Sequence, residues 1–189
     1  MRILTAMESE MKRVIMLVAM GFIVLGCTAT AKDKPSLTVV DPVDLERYLG
    51  KWYEIASYPA WFQKECTGST AEYSLLPDGK IQVVNRCRKG SLNGPLKESK
   101  GKAEVADTTT NAKLKVWFFW PFKGNYWIID LSPDYQWAVV GEPSRKYLWI
   151  LSRTPTMDEA VYQAILERLP QKGYDPAKLR ITDQKTAVE

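Results

Sequence analysis

Short runs of alternating hydrophobic and polar residues cover most of the chain between residues 50 and 153. In residues 112–118, lysines separate the apolar positions, so Leu114, Val116 and Phe118 are predicted to face inward along a strand. Segments rich in Gly, Pro, Asp and Asn separate these runs and favour tight turns. About eight strands in this order predict an antiparallel meander. Because closure removes exposed strand edges, we predict an up-and-down β-barrel.

One β-hairpin is predicted around residues 77–80. Residues 67–76 and 81–88 flank the turn Pro77-Asp78-Gly79-Lys80, and an Asp-Gly pair between two strand-like runs is a strong hairpin signal. Alternation assigns one set of residues in each strand to the barrel interior. The predicted inward residues are Ala71, Tyr73 and Leu75 in the first strand and Ile81, Val83, Asn85 and Cys87 in the second.

The hydrophobic period changes from strand-like to helical after residue 153. Thr156 and Glu159 have the spacing of a capping box, and Gly173 is a natural stop. We therefore predict one amphipathic helix that packs against the outside of the barrel, followed by a last short strand or clasp. Asp41 is the predicted cap of a helical turn before the first strand. The predicted buried stripe consists of Ala160, Val161, Ala164, Ile165 and Leu169.

The N-terminal part of the chain has the pattern of an export signal. A basic start at Lys12 and Arg13 precedes an apolar run over residues 14–25, which is too short to span a bilayer. Val24-Leu25-Gly26-Cys27 then resembles the lipobox of bacterial lipoproteins, whose cysteine is acylated and becomes the mature N-terminus. A signal peptide that only happens to contain a cysteine is the alternative. Two acidic residues within residues 1–10 suit a signal poorly, which makes Met11 a second candidate start.

These patterns divide the chain into four parts. Residues 1–26 are the predicted signal peptide, 27–40 the lipidated cysteine and a flexible tether, 41–183 the barrel domain, and 184–189 a tail. Several acyl chains on Cys27 would anchor the protein stably, since one chain alone is marginal. By analogy with bacterial lipoproteins, Thr28 in place of an aspartate indicates the outer membrane, and we expect the periplasmic face.

Composition excludes several kinds of function. The 26 basic and 22 acidic residues are scattered, with a net charge of +4 and no run of like charge that would mark a nucleic-acid surface. Histidine is absent, which removes Ser-His-Asp and Cys-His nucleophile pairs as well as imidazole metal and haem sites. We therefore expect a binding protein with no cofactor, no metal and no nucleic-acid partner.

Three separated motifs, in this order, resemble the lipocalin family. They are Gly50-Lys51-Trp52-Tyr53-Glu54, the hairpin start at residues 71–75, and Leu148-Trp149-Ile150-Leu151-Ser152-Arg153. More narrowly, they are similar to the bacterial outer-membrane lipocalins related to apolipoprotein D. The resemblance implies an all-β, eight-stranded antiparallel barrel with one C-terminal helix packed outside. It also implies that Trp52 and Arg153 meet under the closed end as a cation–π pair.

The resemblance further implies a ligand and the residues that meet it. The ligands would be fatty acids or lysophospholipids, carried or stored in the envelope. Trp149, Tyr73 and Asn85 match family positions that face the cavity. The family's T-D-Y motif is only partly present, as Pro133-Asp134-Tyr135. Together with the inward positions from alternation, the expected ligand-binding set is Tyr73, Val83, Asn85, Leu114, Val116, Phe118 and Trp149.

Two cysteines remain once Cys27 is assigned to lipid attachment. Cys66 and Cys87 flank the predicted hairpin in an exported protein, where disulfides persist. A bridge would close a loop of about twenty residues and stabilise the fold by roughly 3 kcal/mol. The alternative is two free thiols, which would leave Cys87 as a nucleophile in the cavity and reopen a lipid-modifying activity.

A scaffold or interaction role is the remaining alternative to lipid binding. Aromatic residues such as Trp117 and Trp120 lie on strands or turns where they can pair with another subunit or another envelope protein. A homodimer is compatible with lipid binding.

Overall fold

The structure is a computed structural model that describes residues 36–119 and 121–184. The predicted signal peptide, the lipid-attachment residue Cys27, most of the tether, Trp120 and residues 185–189 therefore lie outside the described residues. None of the helices in the described ranges is long and apolar enough to cross a membrane.

Eight consecutive strands form a closed antiparallel barrel in the described part of the chain. Each strand pairs with the next, and β1 pairs with both β2 and β8, which closes the sheet. This confirms the predicted up-and-down barrel. The strands are β1 (Gly50–Ser57), β2 (Cys66–Leu75), β3 (Ile81–Lys89), β4 (Leu96–Asp107), β5 (Lys113–Phe119), β6 (Phe122–Leu131), β7 (Trp137–Gly141) and β8 (Leu148–Ser152).

The C-terminal segment fills the gap where β1 and β2 diverge. These two strands pair only between residues 50–53 and 70–73, and β9 (Arg180–Ile181) then pairs with the end of β1. The amide of Thr182 donates to the carbonyl of Ile55 at 2.9 Å, and the amide of Gly68 donates to the carbonyl of Asp183 at 2.8 Å. The predicted clasp is therefore the short strand β9 with the residues after it, which pair with the edges of β1 and β2 and complete the barrel wall.

Both helices begin later than the sequence predicts. Helix α1 (Leu45–Tyr48) is capped by Asp44, which accepts from the Arg47 amide, so the prediction of Asp41 as its cap is wrong. Helix α2 (Glu159–Arg168) is capped by Asp158. The predicted cap Thr156 instead accepts a hydrogen bond at its carbonyl from the Thr154 hydroxyl, in the turn before the helix. An aspartate nearer the helix satisfies the first free amides in both cases.

Two apolar cores lie on the two faces of the barrel wall. One fills the barrel interior around Trp52, and the other lies between the wall and α2, where Ile165 and Leu169 are fully buried. Strand β8 contributes to both cores: Trp149 and Leu151 pack inside, while Ile150 packs under α2. The sequence left this orientation undecided because every residue from 147 to 151 is apolar or aromatic.

The fold is contained within residues 37–181. All nine described strands and both cores fall in this range. A fragment of residues 28–189 therefore holds the complete barrel and helix without the predicted signal peptide and without Cys27.

Candidate ligand-binding site

The two ends of the barrel differ in how they are closed. The loops at residues 76–80, 108–112 and 132–136 lie at one end together with α1, which packs Tyr48 into the interior. The loops at residues 58–65, 90–95 and 142–147 and the β5–β6 turn lie at the other. We call these the closed end and the open end.

Arg153 and Trp52 fill the closed end. The Arg153 guanidinium lies 3.8 Å from the centre of the fully buried Trp52 ring. The same guanidinium donates to the carbonyls of Arg47 at 2.6 Å, Leu49 at 2.9 Å and Lys51 at 3.0 Å. A partly buried cation is thereby paired with carbonyl dipoles and an aromatic face. These contacts tie the start of β1 to the end of β8.

The partial motif at residues 133–135 also belongs to the closed end. The Tyr135 hydroxyl accepts from the Asp44 amide at 2.8 Å, and the Arg47 guanidinium lies 4.0 Å from the Tyr135 ring centre. Arg153 also donates to the Tyr135 carbonyl at 3.2 Å. Tyr135 thus joins α1 to the β6–β7 loop, although Pro133 stands where the T-D-Y motif has threonine.

Three tyrosine hydroxyls form a polar chain inside the barrel above Trp52. The hydroxyl of Tyr126 lies 2.8 Å from that of Tyr48 and 2.9 Å from that of Tyr73. Burial raises the pKa of Tyr48 and Tyr126 well above the usual tyrosine range and that of Tyr73 to about 12. All three hydroxyls therefore stay protonated at neutral pH and act as hydrogen-bonding groups rather than as bases.

Little space remains beside the tyrosine chain. A void of about 10 Å³ lies there, with room for about one water molecule. Four of the predicted ligand-binding residues line this void, namely Tyr73, Val83, Leu114 and Val116, together with Tyr48 and Tyr126. The lower half of the barrel is consequently a packed core.

The interior changes character toward the open end. Phe118 on β5 and Trp149 on β8 pack against the interior core but remain partly exposed, as does Ala71 on β2. A side chain at Gly101 would come within 2.8 Å of the Phe118 ring, so the glycine makes room for this ring in the barrel. Inward-facing apolar surface is therefore in contact with water near the mouth.

A hydrogen-bonded chain holds the loop after β1 at the mouth. The Trp149 indole donates to the side-chain oxygen Oε1 of Gln63 at 2.9 Å, and the side-chain Nε2 of Gln63 donates to the Glu54 carboxylate at 2.8 Å. Glu54 is buried and also accepts from the hydroxyls of Ser57 at 2.9 Å and Thr182 at 2.6 Å. The loop, β8 and the C-terminal segment are thus joined through one carboxylate.

A larger cleft of about 520 Å³, lined by both polar and apolar side chains, opens beside this chain. It lies between the loop after β1 and the C-terminal segment, and its lining includes Glu54, Gln63, Lys64 and Arg180. The cleft shares no lining residue with the void beside the tyrosine chain, so the two cavities are separate in the structure.

Two hairpin residues predicted to face inward are exposed, and only one of them lies outside the interior. Leu75 is 61% exposed, because the end of β2 extends beyond the closed end, so its predicted inward position is wrong. Asn85 is exposed, although its strand neighbours Val83 and Cys87 are buried. It pairs with Ala71 across β2 and with Ser99 across β4, which places it toward the mouth.

The predicted disulfide between Cys66 and Cys87 is confirmed. It joins the start of β2 to β3 near the open end. Cys87 is therefore not a free nucleophile. The part of the chain that the structure describes also contains no group of three or more Cys, Asp or Glu side chains placed to hold a metal ion.

Sequence patterns did not identify Tyr48, Tyr126, Gln63 or Glu54 as residues of the interior and mouth. The tyrosine contacts join residues that are 53 and 78 positions apart, which local spacing does not encode. For Glu54 the sequence does contain a signal. Side chains two residues apart on a strand face the same side, so the inward Trp52 predicts that Glu54 also faces inward.

Comparison with known proteins identifies the family. Residues 43–184 match the family described as Lipocalin-like domain. The chain belongs to the lipocalin family. It is 41% identical over 158 residues to the outer membrane lipoprotein Blc of Escherichia coli (strain K12), covering 84% of this chain and 88% of Blc. It is also 42% identical over 160 residues to temperature-induced lipocalin-1 of Arabidopsis thaliana, covering 80% of this chain and 85% of that protein.

A further relative and a solved structure match a similar share of the chain. Apolipoprotein D of Mus musculus is 35% identical over 161 residues, with 79% of this chain and 82% of that protein covered. The structure of insecticyanin from Manduca sexta superposes with a TM-score of 0.63 at 23% identity, covering 79% of this chain and 85% of that one. Members of this family bind small hydrophobic ligands, so the barrel interior and its mouth are the region where a ligand of this lipocalin is to be sought.

Proposed function

We propose that this lipocalin is a lipid carrier or storage protein of the bacterial envelope that holds fatty acids or lysophospholipids. The observation that carries the proposal is the water-accessible apolar surface in the upper half of the barrel, formed by Ala71, Phe118 and Trp149. Covering such surface with an acyl chain is favourable by about 25 cal/mol per Å².

The packed lower half sets the depth to which an acyl chain can enter. Ligand pockets commonly have volumes of about 300–1,000 Å³, whereas the void beside the tyrosine chain has about 10 Å³. The chain would therefore lie above Tyr73 and Val116, with its polar headgroup at the mouth near Gln63 and Asn85. Binding of a long chain would require Phe118 and Trp149 to change rotamer.

The envelope location rests on the N-terminal motif and the relatives. Relatives in Escherichia coli, Citrobacter freundii and Vibrio cholerae are named outer membrane lipoproteins. We infer that Cys27 of this chain is acylated and anchors the protein to the outer membrane on the periplasmic face. Mass spectrometry of the mature N-terminal peptide tests this directly, since acylation adds fatty-acyl mass to Cys27 and the Cys27→Ser variant lacks it.

Ligand binding is tested with purified residues 28–189. Co-purifying small molecules are identified by mass spectrometry, and fatty acids and lysophospholipids are then titrated against tryptophan fluorescence. We expect saturable binding, with the Kd about tenfold higher for Trp149→Ala, because the truncation removes apolar contact area from the proposed wall. Trp117→Ala, on the outer face of β5, is the matched control. Absence of saturable binding by any of these lipids would contradict the proposal.

A further inference from the structure

The exposed apolar side chains of this lipocalin are concentrated at one end of the barrel. Among the described residues, seven large apolar side chains are exposed, and only Leu75 lies at the closed end. The other six surround the open end, and we call them the apolar rim. They are Trp61 (82% exposed), Phe62 (41%), Leu96 (55%), Phe119 (79%), Phe122 (79%) and Ile181 (67%).

The apolar rim is held by regular structure rather than by unanchored loops. Phe119 and Phe122 are paired across the β5–β6 turn, so both rings stand at the tip of a hairpin. Trp61 and Phe62 lie on a 3₁₀ turn, with their rings 5.6 Å apart and the Phe62 ring 5.4 Å from that of Tyr147. Aromatic side chains of this kind are favoured at the boundary between lipid headgroups and acyl chains.

Basic side chains surround the apolar rim. Within three residues of the open-end loops and along residues 180–183, exposed basic residues outnumber exposed acidic ones among the described residues. The acidic ones are Glu65, Glu98 and Asp183. The basic ones are Lys64, Arg88, Lys89, Lys97, Lys123, Lys146 and Arg180. This combination of aromatic groups and cations is complementary to an anionic lipid surface.

The closed end lacks this combination. Its loops and α1 expose Asp41, Asp44, Glu46, Asp78 and Asp134, with Arg47 and Lys51 as exposed basic residues. An anionic membrane would therefore attract the open end and be less favourable for the closed end.

We propose that the apolar rim docks on a phospholipid bilayer that carries anionic lipids, so that the mouth of the barrel opens onto the membrane surface. A second copy of the chain is a less favourable occupant, because a two-fold interface would bring two basic rims together. Where the proposed lipid-binding function also holds, a ligand would pass between bilayer and barrel without crossing bulk water; the docking itself does not depend on that function.

The orientation is tested with the acylated full-length protein in vesicles that contain phosphatidylglycerol. An environment-sensitive fluorophore is attached to Cys in Phe119→Cys or, as the matched control, in Leu75→Cys at the opposite end. We expect brominated acyl chains to quench the label at position 119 by about half or more and to leave the label at position 75 unquenched. Equal quenching at both positions, or quenching only at position 75, would overturn the proposal.

Docking without the anchor is tested with residues 28–189 and the same vesicles. The double variant Phe119→Ser/Phe122→Ser should bind at least about tenfold more weakly, while Leu75→Ser should bind like the unchanged protein. Binding should also weaken as salt rises. Unchanged binding of the double variant, or dimerisation at the rim with no response to vesicles, would overturn the proposal. Titration of the same proteins with fatty acid in the absence of vesicles shows whether the barrel still binds lipid, and so separates a failure of membrane docking from a failure of lipid binding.

Discussion

Gln63 joins the side chains of Trp149 and Glu54 at the mouth of the barrel. The side-chain oxygen of Gln63 accepts a hydrogen bond from the Trp149 indole, and its side-chain nitrogen donates one to the buried carboxylate of Glu54. The position of the Trp149 indole therefore depends on a loop residue 86 positions away in the sequence. This contact couples the proposed ligand wall to the loop that carries Trp61 and Phe62.

Replacement of Gln63 by leucine should disturb both partners. Gln63→Leu removes one donor from Glu54 and the acceptor of the Trp149 indole, so we expect the free energy of unfolding to fall by about 1–3 kcal/mol. Chemical denaturation measures this loss. The exposed Gln171→Leu is the control and should change stability little. A Gln63→Leu protein of unchanged stability would show that the chain of hydrogen bonds contributes nothing.

Glu142 organises the β7–β8 turn at the open end. Its carboxylate accepts from the Ser144 hydroxyl at 2.7 Å and from the amides of Ser144 at 2.8 Å and Lys146 at 2.6 Å. Burial acts to raise the pKa of this carboxyl, but the hydrogen bonds from Ser144, Lys146 and Tyr147 outweigh it and lower the pKa below the usual glutamate range. The folded state therefore favours the ionised form.

This shift makes stability depend on pH with a defined sign. A carboxyl with a depressed pKa contributes stability above its unfolded pKa and loses it as pH falls through its folded pKa. We expect Glu142→Gln to destabilise the protein at neutral pH and to flatten the loss of stability between about pH 5 and the folded pKa. Denaturation midpoints across this range give the comparison. An identical pH dependence in both proteins would contradict the role of Glu142.

At the scale of elements, α2 covers one side of the barrel. Ile165 and Leu169 are fully buried against wall residues that include Ile129, Val139 and Ile150. The tip of Tyr174, just after the helix, both accepts from the Glu142 amide at 2.9 Å and donates to its carbonyl at 3.0 Å. A side chain at Gly141 would collide with that hydroxyl at 2.2 Å, which explains the glycine.

Truncation of the helix core should measure this packing. Ile165→Ala should lower the free energy of unfolding by about 2–4 kcal/mol, because a fully buried methylene-rich side chain leaves a cavity. Gln163→Ala, on the exposed face of the same helix, should cost less than about 0.5 kcal/mol. Urea denaturation of both variants provides the measurement, and equal stability of the two would place the helix away from the barrel wall.

Sequence pattern predicted the elements better than their ends. The Asp-Gly turn and the alternation in residues 112–118 located β2, β3 and β5 because a half-buried strand has a two-residue period. The same period cannot show where a strand leaves the barrel, which is why Leu75 was assigned inward. Helix caps were missed by two or three residues because several Asp and Thr side chains near each start can act as caps.

Long-range contacts of the site were beyond local patterns. Residues 147–151 are all apolar or aromatic, so alternation does not orient β8, and the packing of Ile150 under α2 shows that Trp149 faces inward. The chain from Tyr48 through Tyr126 to Tyr73 likewise depends on three strands or helices meeting in space. Motif resemblance supplied Trp149, which the periodicity left undecided, whereas alternation alone already placed Tyr73 inward.

In the whole molecule, the packing of the barrel interior becomes looser from the closed end to the open end. The closed end is filled by Arg153 and Trp52, and the middle is packed around the tyrosine chain. The upper half presents partly exposed apolar surface close to the polar side chains of Gln63 and Glu54, inside the apolar rim. Such an arrangement favours a ligand with an apolar tail and a polar head. Lipid binding would then take place in the upper barrel.

Titration with a brominated fatty acid tests directly whether lipid binds in the upper barrel. A brominated fatty acid quenches tryptophan fluorescence on contact, and Ala71→Phe would fill the upper barrel from its inner face. The account predicts saturable quenching of residues 28–189, with affinity at least about tenfold lower in Ala71→Phe and unchanged in Ser74→Phe, whose side chain is exposed. Equal affinity of the three proteins would mean that the lipid binds outside the barrel.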